Sequence, residues 1–314
     1  MCGIAGFAAL RQGCGYLNAP EKHHARLRAM SASLQRRGPD ESGLYLTDWA
    51  GLAHARLSII DLERGKQPMV RSSGGCEFAI SYNGELYNTA ELRSELQAKG
   101  WKFQTHSDTE VILVGYMQYG AQIAEHLNGI FAFAIADGRE NALCLFRDRM
   151  GVKPLFYART PEEVLFASEL KGLFAGGIQP KIDRQGLNEI FSIGPAKTPG
   201  CGVFAGVEEV LPGHWVRIRP EGVQQYQYWK LESRPHEDGW DKTVETTGFL
   251  VRDAIRRQMI SDVPVCTFLS GGVDSSLVTA VCAQELKKQG KQLTTFSFDF
   301  VDNSRYFKVN DFQP

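Results

Sequence analysis

Cysteine stands second in this chain, in the opening Met1-Cys2-Gly3-Ile4-Ala5-Gly6-Phe7. Loss of Met1 would make Cys2 the N-terminus, so that one residue carries both a thiol nucleophile and a free α-amine. An unperturbed α-amine titrates at about 7.7–8.0 and a thiol at about 8.5, so the amine can take the thiol proton near neutral pH. An N-terminal amine is one of the bases that activate nucleophiles for covalent catalysis. While Met1 remains, the Cys2 nitrogen is an amide and no base, and such a site is inert. Amide hydrolysis also needs hydrogen-bond donors for a developing oxyanion. A zwitterionic substrate needs a cation and an anion to grip it.

Residues of those types follow along the chain. The segments are Arg36-Arg37-Gly38-Pro39-Asp40, His54-Ala55-Arg56-Leu57-Ser58-Ile59, Tyr82-Asn83-Gly84-Glu85-Leu86-Tyr87-Asn88, Ser107-Asp108-Thr109-Glu110 and Arg147-Asp148-Arg149-Met150-Gly151-Val152-Lys153-Pro154-Leu155. Each has a plainer reading. Asn83-Gly84 between apolar runs is a strong hairpin signal. Asp108 before a helical pattern is a capping residue. Arg56 and Glu85 could be solvated charges, and Arg37–Asp40 a turn near the site. Presence of all of them, in order, favours the chemical reading.

Further on, Ser270-Gly271-Gly272-Val273-Asp274-Ser275-Ser276 lies between an apolar run and a helical pattern. Glycines let backbone approach phosphates closely, and a helix N-terminus favours negative charge. Ser270, Ser275 and Ser276 add hydroxyl donors, and Asp274 can help hold a divalent cation. The loop is no Walker sequence, since Gly-Lys-Ser/Thr does not follow. The plainer reading is a glycine turn that caps a helix.

The elements that must carry these residues change type along the chain. Ile4–Leu10, Gly43–Leu46, Gly51–Ala55, Phe78–Tyr82, Ile130–Asp137, Ala142–Arg147, Leu155–Ala158 and Val164–Ala167 read as strands. A last strand-like pair covers Glu208–Arg219 and Gly222–Trp229. Helical spacing appears in His23–Gln35 and Thr109–Tyr119, and more briefly in Glu91–Lys99 and Arg184–Phe191. Many strands with few helices predict a layered α+β domain over residues 1–230. Residues 231–241 read as a linker. From 242 to 314 the pattern becomes α/β, with helices over Lys242–Met259 and Ser276–Lys288. Its strands, Val263–Leu269 and Gln292–Phe298, read as parallel, and the first reads as buried on both faces.

Length suits about two domains. Lysine plus arginine total 35 against 36 aspartate plus glutamate, a net charge of −1. That balance argues against nucleic acid or an anionic membrane as partner. No apolar run is long enough to span a bilayer, and no signal peptide opens the chain. Cys2, Cys14, Cys76, Cys144, Cys201, Cys266 and Cys282 form no C-x-x-C pair. They fit a reducing cytoplasm rather than a disulfide framework or zinc site.

The five N-terminal segments, with Cys2, resemble those of the N-terminal-nucleophile class II glutamine amidotransferases. The resemblance implies a four-layer αββα sandwich. It implies that Asn83 and the N–H of Gly84 form an oxyanion hole, that Arg56 grips the glutamine carboxylate, and that Glu85 and Asp108 hold its ammonium. Ser270–Ser276 resembles the pyrophosphate loop of ATP pyrophosphatases. ATP would then lie on Leu269, Ser270, Gly271, Gly272, Asp274, Ser275, Ser276 and Ser297, with Mg²⁺ at Asp274.

Joined, the halves are similar to glutamine-hydrolysing asparagine synthetases, and Ser261–Val265 and Thr295–Phe298 also match. The implied substrates are glutamine, aspartate and ATP. Ammonia released at Cys2 would pass through a tunnel to an aspartyl-adenylate, and glutamine hydrolysis itself would need no cofactor. The resemblance leaves room for a homodimer. Since that family's synthetase domain continues well beyond Pro314, the chain is expected to be a fragment that hydrolyses glutamine without making asparagine. Other readings change the acceptor, as in β-lactam or lasso-peptide cyclising relatives, or give a non-catalytic glutamine-binding subunit.

Overall fold

A computed structural model of the chain describes residues 1–298 except 12, 14, 193 and 195, so Cys14 and residues 299–314 of the expected second domain lie outside it. The chain divides into two compact units, Met1–Glu232 and the residues from Ser233 on. In chain order the strands of the first unit are β1 (Gly3–Ala9), β2 (Glu41–Leu46), β3 (Ala50–Arg56), β4 (Met69–Ser73), β5 (Cys76–Leu86), β6 (Gly129–Asp137), β7 (Ala142–Arg147), β8 (Phe156–Arg159), β9 (Glu163–Ala167), β10 (Val207–Glu209), β11 (His214–Arg219) and β12 (Gly222–Gln227). Its helices are α1 (Pro20–Ser33), α2 (Thr89–Ala98), α3 (Asp108–Tyr119), α4 (Ile123–His126), α5 (Leu170–Ala175) and α6 (Arg184–Ser192).

The strands form two six-stranded sheets, ordered β10-β8-β9-β1-β3-β2 and β12-β11-β7-β6-β5-β4. All their pairings are antiparallel. Three apolar layers explain the stacking. Leu27, Met30 and Leu34, in and just after α1, bury completely with Phe7 and Leu165 of the first sheet. At about 2 kcal/mol per large apolar side chain, those three contribute roughly 6 kcal/mol to docking this segment. Between the sheets lie Ile4, Leu52, Ala134, Leu145 and Val216. On the far face of the second sheet, Leu92 and Leu96 of α2 and Val111 and Val114 of α3 meet Phe78, Phe133 and Phe146. The order is therefore helix, sheet, sheet, helix, the expected four-layer sandwich.

The strand β1 is central to the first sheet and all seven of its residues are buried. Its small residues let neighbours approach closely: a Cβ on Gly3 would sit 2.7 Å from Leu34 Cβ, and one on Gly6 only 2.2 Å from Gly51 O.

One expectation is corrected in this unit, and one local signal does not hold. Glu208–Arg219 is not one strand. It splits at Leu211-Pro212-Gly213 into β10, in the first sheet, and β11, in the second. Pro212 has no N–H for a ladder, and Gly213 takes a left-handed φ of 68°. The Asn83-Gly84 pair is no hairpin turn, because both lie inside the eleven-residue β5.

The second unit contains α7 (Trp240–Arg257), β13 (Cys266–Phe268), α8 (Val273–Lys288) and β14 (Thr294–Phe296). The strands β13 and β14 pair in parallel, with Thr267 opposite Thr295, as a strand–helix–strand unit requires. Burial of the first strand on both faces is corrected: Thr267 is buried, but Phe268 is 66% exposed. Thr279 of α8 covers one side, donating to Thr267 Oγ1 at 3.0 Å. Among the described residues no helix is long and apolar enough to cross a membrane.

Candidate active site

A small cleft opens in the first unit beside the start of β1. Met1, Cys2, Arg56, Leu57, Gln67, Asn83, Gly84, Glu85, Asp108 and Lys153 are among the residues that line it, and it holds about 50 Å³. The sequence-predicted residues of the N-terminal half thus come together from β1, β3, β5 and α3, up to 106 positions apart in the chain.

Cys2 is held at both ends. Its carbonyl accepts from Arg37 Nε at 2.8 Å, and Arg37 Nη1 pairs with Glu169 at 3.0 Å. Its Sγ accepts from the Leu57 N–H at 3.4 Å and donates to Leu57 O at 3.6 Å. Gly38 explains the neighbouring turn. A Cβ there would lie 2.1 Å from Ala55 O, so only glycine lets this turn press on the end of β3. Burial pushes the Cys2 thiol pKa up, while the Leu57 N–H, the N-terminal charge and Arg56 oppose that rise. The terminal amine, here on Met1, is pushed down, chiefly by burial.

Alternation along β5 places the next groups. Ser81 contacts His54 Nδ1 of β3 at 3.0 Å, so its face of β5 looks toward the first sheet. Asn83 and Glu85 share that face, two and four residues on. Asn83 is buried, and its Nδ2 has no hydrogen-bond partner among the described residues. A buried N–H without an acceptor costs about 1–3 kcal/mol, and Asn83 lies on the cleft that Cys2 lines.

Tyr82 and Leu86 present their N–H groups at the opposite edge of β5 from β6. The Tyr82 N–H donates to Gln67 Oε1 at 2.7 Å and the Leu86 N–H to Asp108 Oδ2 at 3.3 Å. The Gly84 N–H, between them in the alternation, points to the same edge. There β4 has already ended, its last pair being Met69 with Ile80. A Cβ on Gly84 would sit 2.3 Å from Ile130 O, so glycine keeps β5 and β6 in register here.

Asp108 is the first residue of α3, and the N-cap is Ser107, whose Oγ accepts from the Thr109 N–H at 3.1 Å. Asp108 Oδ2 also accepts from Tyr82 OH at 2.9 Å. Burial raises the Asp108 pKa and the Tyr82 hydroxyl opposes this. Glu110 anchors the approach to α3. It pairs with Arg71 and accepts from Gln104 N and Thr105 N.

Arg56 ends β3 and is buried. Its Nη1 donates to Leu62 O at 3.1 Å and Glu41 Oε2 at 3.3 Å, and its Nη2 to Asp61 O at 2.7 Å and Ile60 O at 3.4 Å. Both Nη groups are engaged, so a carboxylate ligand must displace one acceptor. Gly65 permits the loop to close here, since a Cβ would lie 2.5 Å from Arg56 Nη2.

Lys153, Gln67 and Tyr82 line the cleft and Arg37 braces it, with no chemical role read for them from sequence. Lys153, Arg37 and Tyr82 stood inside segments already singled out. Gln67 stood in none. Lys153 is buried, which lowers its pKa, and Glu85 opposes this. The pKa of Glu85 is itself raised by burial, with Lys153 opposing.

In the second unit Ser270 N and Oγ both contact Ser275 Oγ, at 3.3 and 3.0 Å, and Ser275 Oγ donates to Gly272 O at 3.1 Å. Gly271 has a left-handed φ of 85°, and Gly272 is the N-cap of α8, with no side chain capping the helix. Asp274 and Ser276 are exposed, and Ser297 donates to Leu269 O at 2.7 Å. The predicted phosphate-loop residues are thus together at a helix N-terminus. Among the described residues no three His, Cys, Asp or Glu side chains cluster to hold a metal.

The glutamine amidotransferase domain family matches residues 1–229, and the asparagine synthase family matches residues 248–310. Asparagine synthetase [glutamine-hydrolyzing] 3 of Bacillus subtilis is 44% identical over all of this chain and 50% of its own length. Asparagine synthetase [glutamine-hydrolyzing] 1 of that organism is 37% identical over 91% of this chain and 46% of its own. The chain spans about half the length of the curated relatives it matches. Among solved structures, the glutamine phosphoribosylpyrophosphate amidotransferase of Bacillus subtilis superposes with a TM-score of 0.52 at 19% identity. That match covers 98% of this chain and 71% of the other, and it supports the fold. With Cys2, Asn83 and Gly84 on one cleft of a two-sheet sandwich, and its family matched across residues 1–229, the chain belongs to the glutamine amidotransferases, with an asparagine synthase segment after the amidotransferase domain.

Proposed function

We propose that this chain hydrolyses glutamine at Cys2 and, as part of an asparagine synthetase, delivers the ammonia to an activated aspartate. The observation that carries the first half is the buried, unpartnered Asn83 Nδ2 on the same cleft as Cys2. Once Met1 is removed, the Cys2 amine takes the thiol proton and Sγ attacks the side-chain carbonyl of glutamine. Asn83 Nδ2 and the Gly84 N–H receive the oxyanion. The amine then gives its proton to the departing nitrogen, ammonia leaves, and a thioester remains. Water hydrolyses the thioester to glutamate and restores the thiol. The substrate carboxylate binds Arg56 in place of Glu41, one carboxylate for another at a contact of 3.3 Å. Glu85 and Asp108 face the ammonium.

The loop Ser270–Ser276 suits a triphosphate, because its glycines open the backbone and α8 presents uncapped N–H groups. ATP there, when bound, supplies adenylation of the acceptor carboxylate. A Mg²⁺ ion would lean on the phosphates as well as Asp274, as this ion commonly does. The domains of this reading are residues 1–230 and 242–314, joined by 231–241. Aspartate as acceptor and a cytoplasmic setting belong to the same proposal, and the six described cysteines are all unpaired.

The test is glutamate release from glutamine by the purified chain, with a free Cys2 terminus confirmed by mass, beside Cys2→Ala. We expect turnover in the first and none in the second. Equal rates in both, or none in either, would overturn the glutaminase reading.

A further inference from the structure

The edge of β5 that faces the cleft is finished in an unusual way. β4 pairs with β5 as far as Met69 opposite Ile80. Carried on, that register would set Gln67 opposite Tyr82 and Gly65 opposite Gly84. The chain leaves the ladder instead. Pro68 has no N–H to give to it. The carbonyl of Gln67 is turned toward β2, where a Cβ on Gly43 would sit 2.0 Å from it. Gly65 lies against the guanidinium of Arg56.

The side chain of Gln67 takes over the work of its carbonyl. Its Oε1 accepts from the Tyr82 N–H at 2.7 Å, and its Nε2 donates to Thr109 Oγ1 at 3.2 Å, in the first turn of α3. A backbone N–H can be met only by the amide oxygen, so the two contacts fix which way the amide lies. Two residues beyond Gly84, Asp108 Oδ2 accepts from the Leu86 N–H in the same manner. Two side chains thus fill the edge on either side of Gly84, and β4 supplies no acceptor for the N–H between them. Alternate residues of a strand stand about 7 Å apart, so the opening has room for a single acceptor. Satisfying the Tyr82 N–H alone would not need this arrangement. One more pair of the ladder would serve, but it would bring position 65 over Gly84 and close the edge.

We propose that Gln67 is a positioning residue for glutamine hydrolysis: its amide replaces the next β4 carbonyl and ties β5 to α3, so that the edge is open only at Gly84, where the substrate's carbonyl oxygen completes the row. This rests on the glutaminase reading. It assigns Gln67 to the setting of the oxyanion donor rather than to the binding of substrate. Methionine at 67 would keep the length of the side chain and lose the acceptor, whereas glutamate would keep an acceptor for the Tyr82 N–H.

The experiment uses the full chain with Met1 removed, labelled with nitrogen-15 at glycine and tyrosine. The Gly84 and Tyr82 amide resonances are compared in the parent chain, Gln67→Met and Gln67→Glu. We expect both to move in Gln67→Met and to stay near the parent's in Gln67→Glu. In parallel, kcat for glutamine should fall about tenfold or more in Gln67→Met with KM within about twofold of the parent's, because the lost interaction belongs to the transition state. In Gln67→Glu, kcat should return to within about threefold of the parent's. A raised KM with kcat retained in Gln67→Met would make Gln67 a substrate ligand and overturn the proposal. Equal losses of kcat in the two variants, or an unmoved Gly84 resonance in Gln67→Met, would overturn it too. If Gln67→Met does not fold by circular dichroism, Gln67→Ala takes its place with the same expectations. No turnover by the parent chain would overturn the glutaminase reading alone, because the amide resonances still decide whether Gln67 sets Gly84.

Discussion

Asn83 Nδ2 and the Gly84 N–H reach the cleft by different routes. One is a side chain on the inter-sheet face of β5. The other is a backbone group at a strand edge left open where β4 stops. Both are fixed before any substrate arrives, as the proposed role of oxyanion donors requires. We therefore expect Asn83→Ala to lower kcat for glutamine by about 10²–10³-fold with little change in KM, as steady-state kinetics would show. A change in KM alone would assign Asn83 to ground-state binding instead. Glu85 gives a pH signature. Burial raises its pKa, so it loses its charge while ordinary carboxylates still keep theirs. If it holds the ammonium, KM for glutamine rises as pH falls through that raised value, and Glu85→Gln has a high KM at every pH. A KM independent of pH in the parent chain would remove Glu85 from that role.

At the scale of elements, the site depends on two sheets held at fixed spacing. Gly84→Ala would push a methyl group into Ile130 O and part β5 from β6. We expect it to cost about 1–3 kcal/mol of stability and to abolish hydrolysis, measured by urea unfolding and glutamate release. His54 lies wholly buried between the sheets and accepts a proton only when the pH falls to about 3, since burial disfavours its charge. The unfolded chain binds that proton near 6.5. Stability is therefore full above about pH 6.5 and is lost progressively as pH falls toward 3, by up to about 5 kcal/mol. Urea midpoints measured across that range should slope less in His54→Leu than in the parent chain. Equal slopes would mean that other groups govern acid unfolding.

How much of this was legible depended on the kind of signal. The strands β1, β3, β6 and β7 are long or wholly apolar, and their periodicity betrayed them. β4 and α5 are short, with mixed composition, and left no pattern. The Asn83-Gly84 pair misled locally because its partners are non-local: β6 continues beside it to Gly129, far past the point where a turn would reverse the chain. The break at Pro212-Gly213 was written in the residues but hidden by apolar runs on both sides. Cys2, Arg56, Asn83, Gly84, Glu85 and Asp108 could be read from motif order. Lys153 was passed over because its interest lies in its burial beside Cys2 and Glu85 in one cleft, which no sequence displays.

On the scale of the whole molecule, the first unit has its own three-layered core and both edges of its cleft. Residues 231–242, which cover its last two residues and the start of the second unit, are all exposed. We expect limited proteolysis to cut there first, and the N-terminal piece to go on releasing glutamate from glutamine. Simultaneous loss of both units, or an inactive first fragment, would show that hydrolysis needs the second unit.

Met1 lines the cleft, and Arg37 grips the carbonyl of Cys2. The first residue is thus a chemical lock, as it stands at the cleft and ties up the nitrogen that the proposed mechanism needs as base. The onset of activity would then be timed by an aminopeptidase rather than by folding, and a fully folded chain could be wholly silent. For anyone producing the protein, an affinity tag fused ahead of Cys2 would yield a well-behaved but dead preparation. The same tag placed after the last residue would leave the nucleophile free.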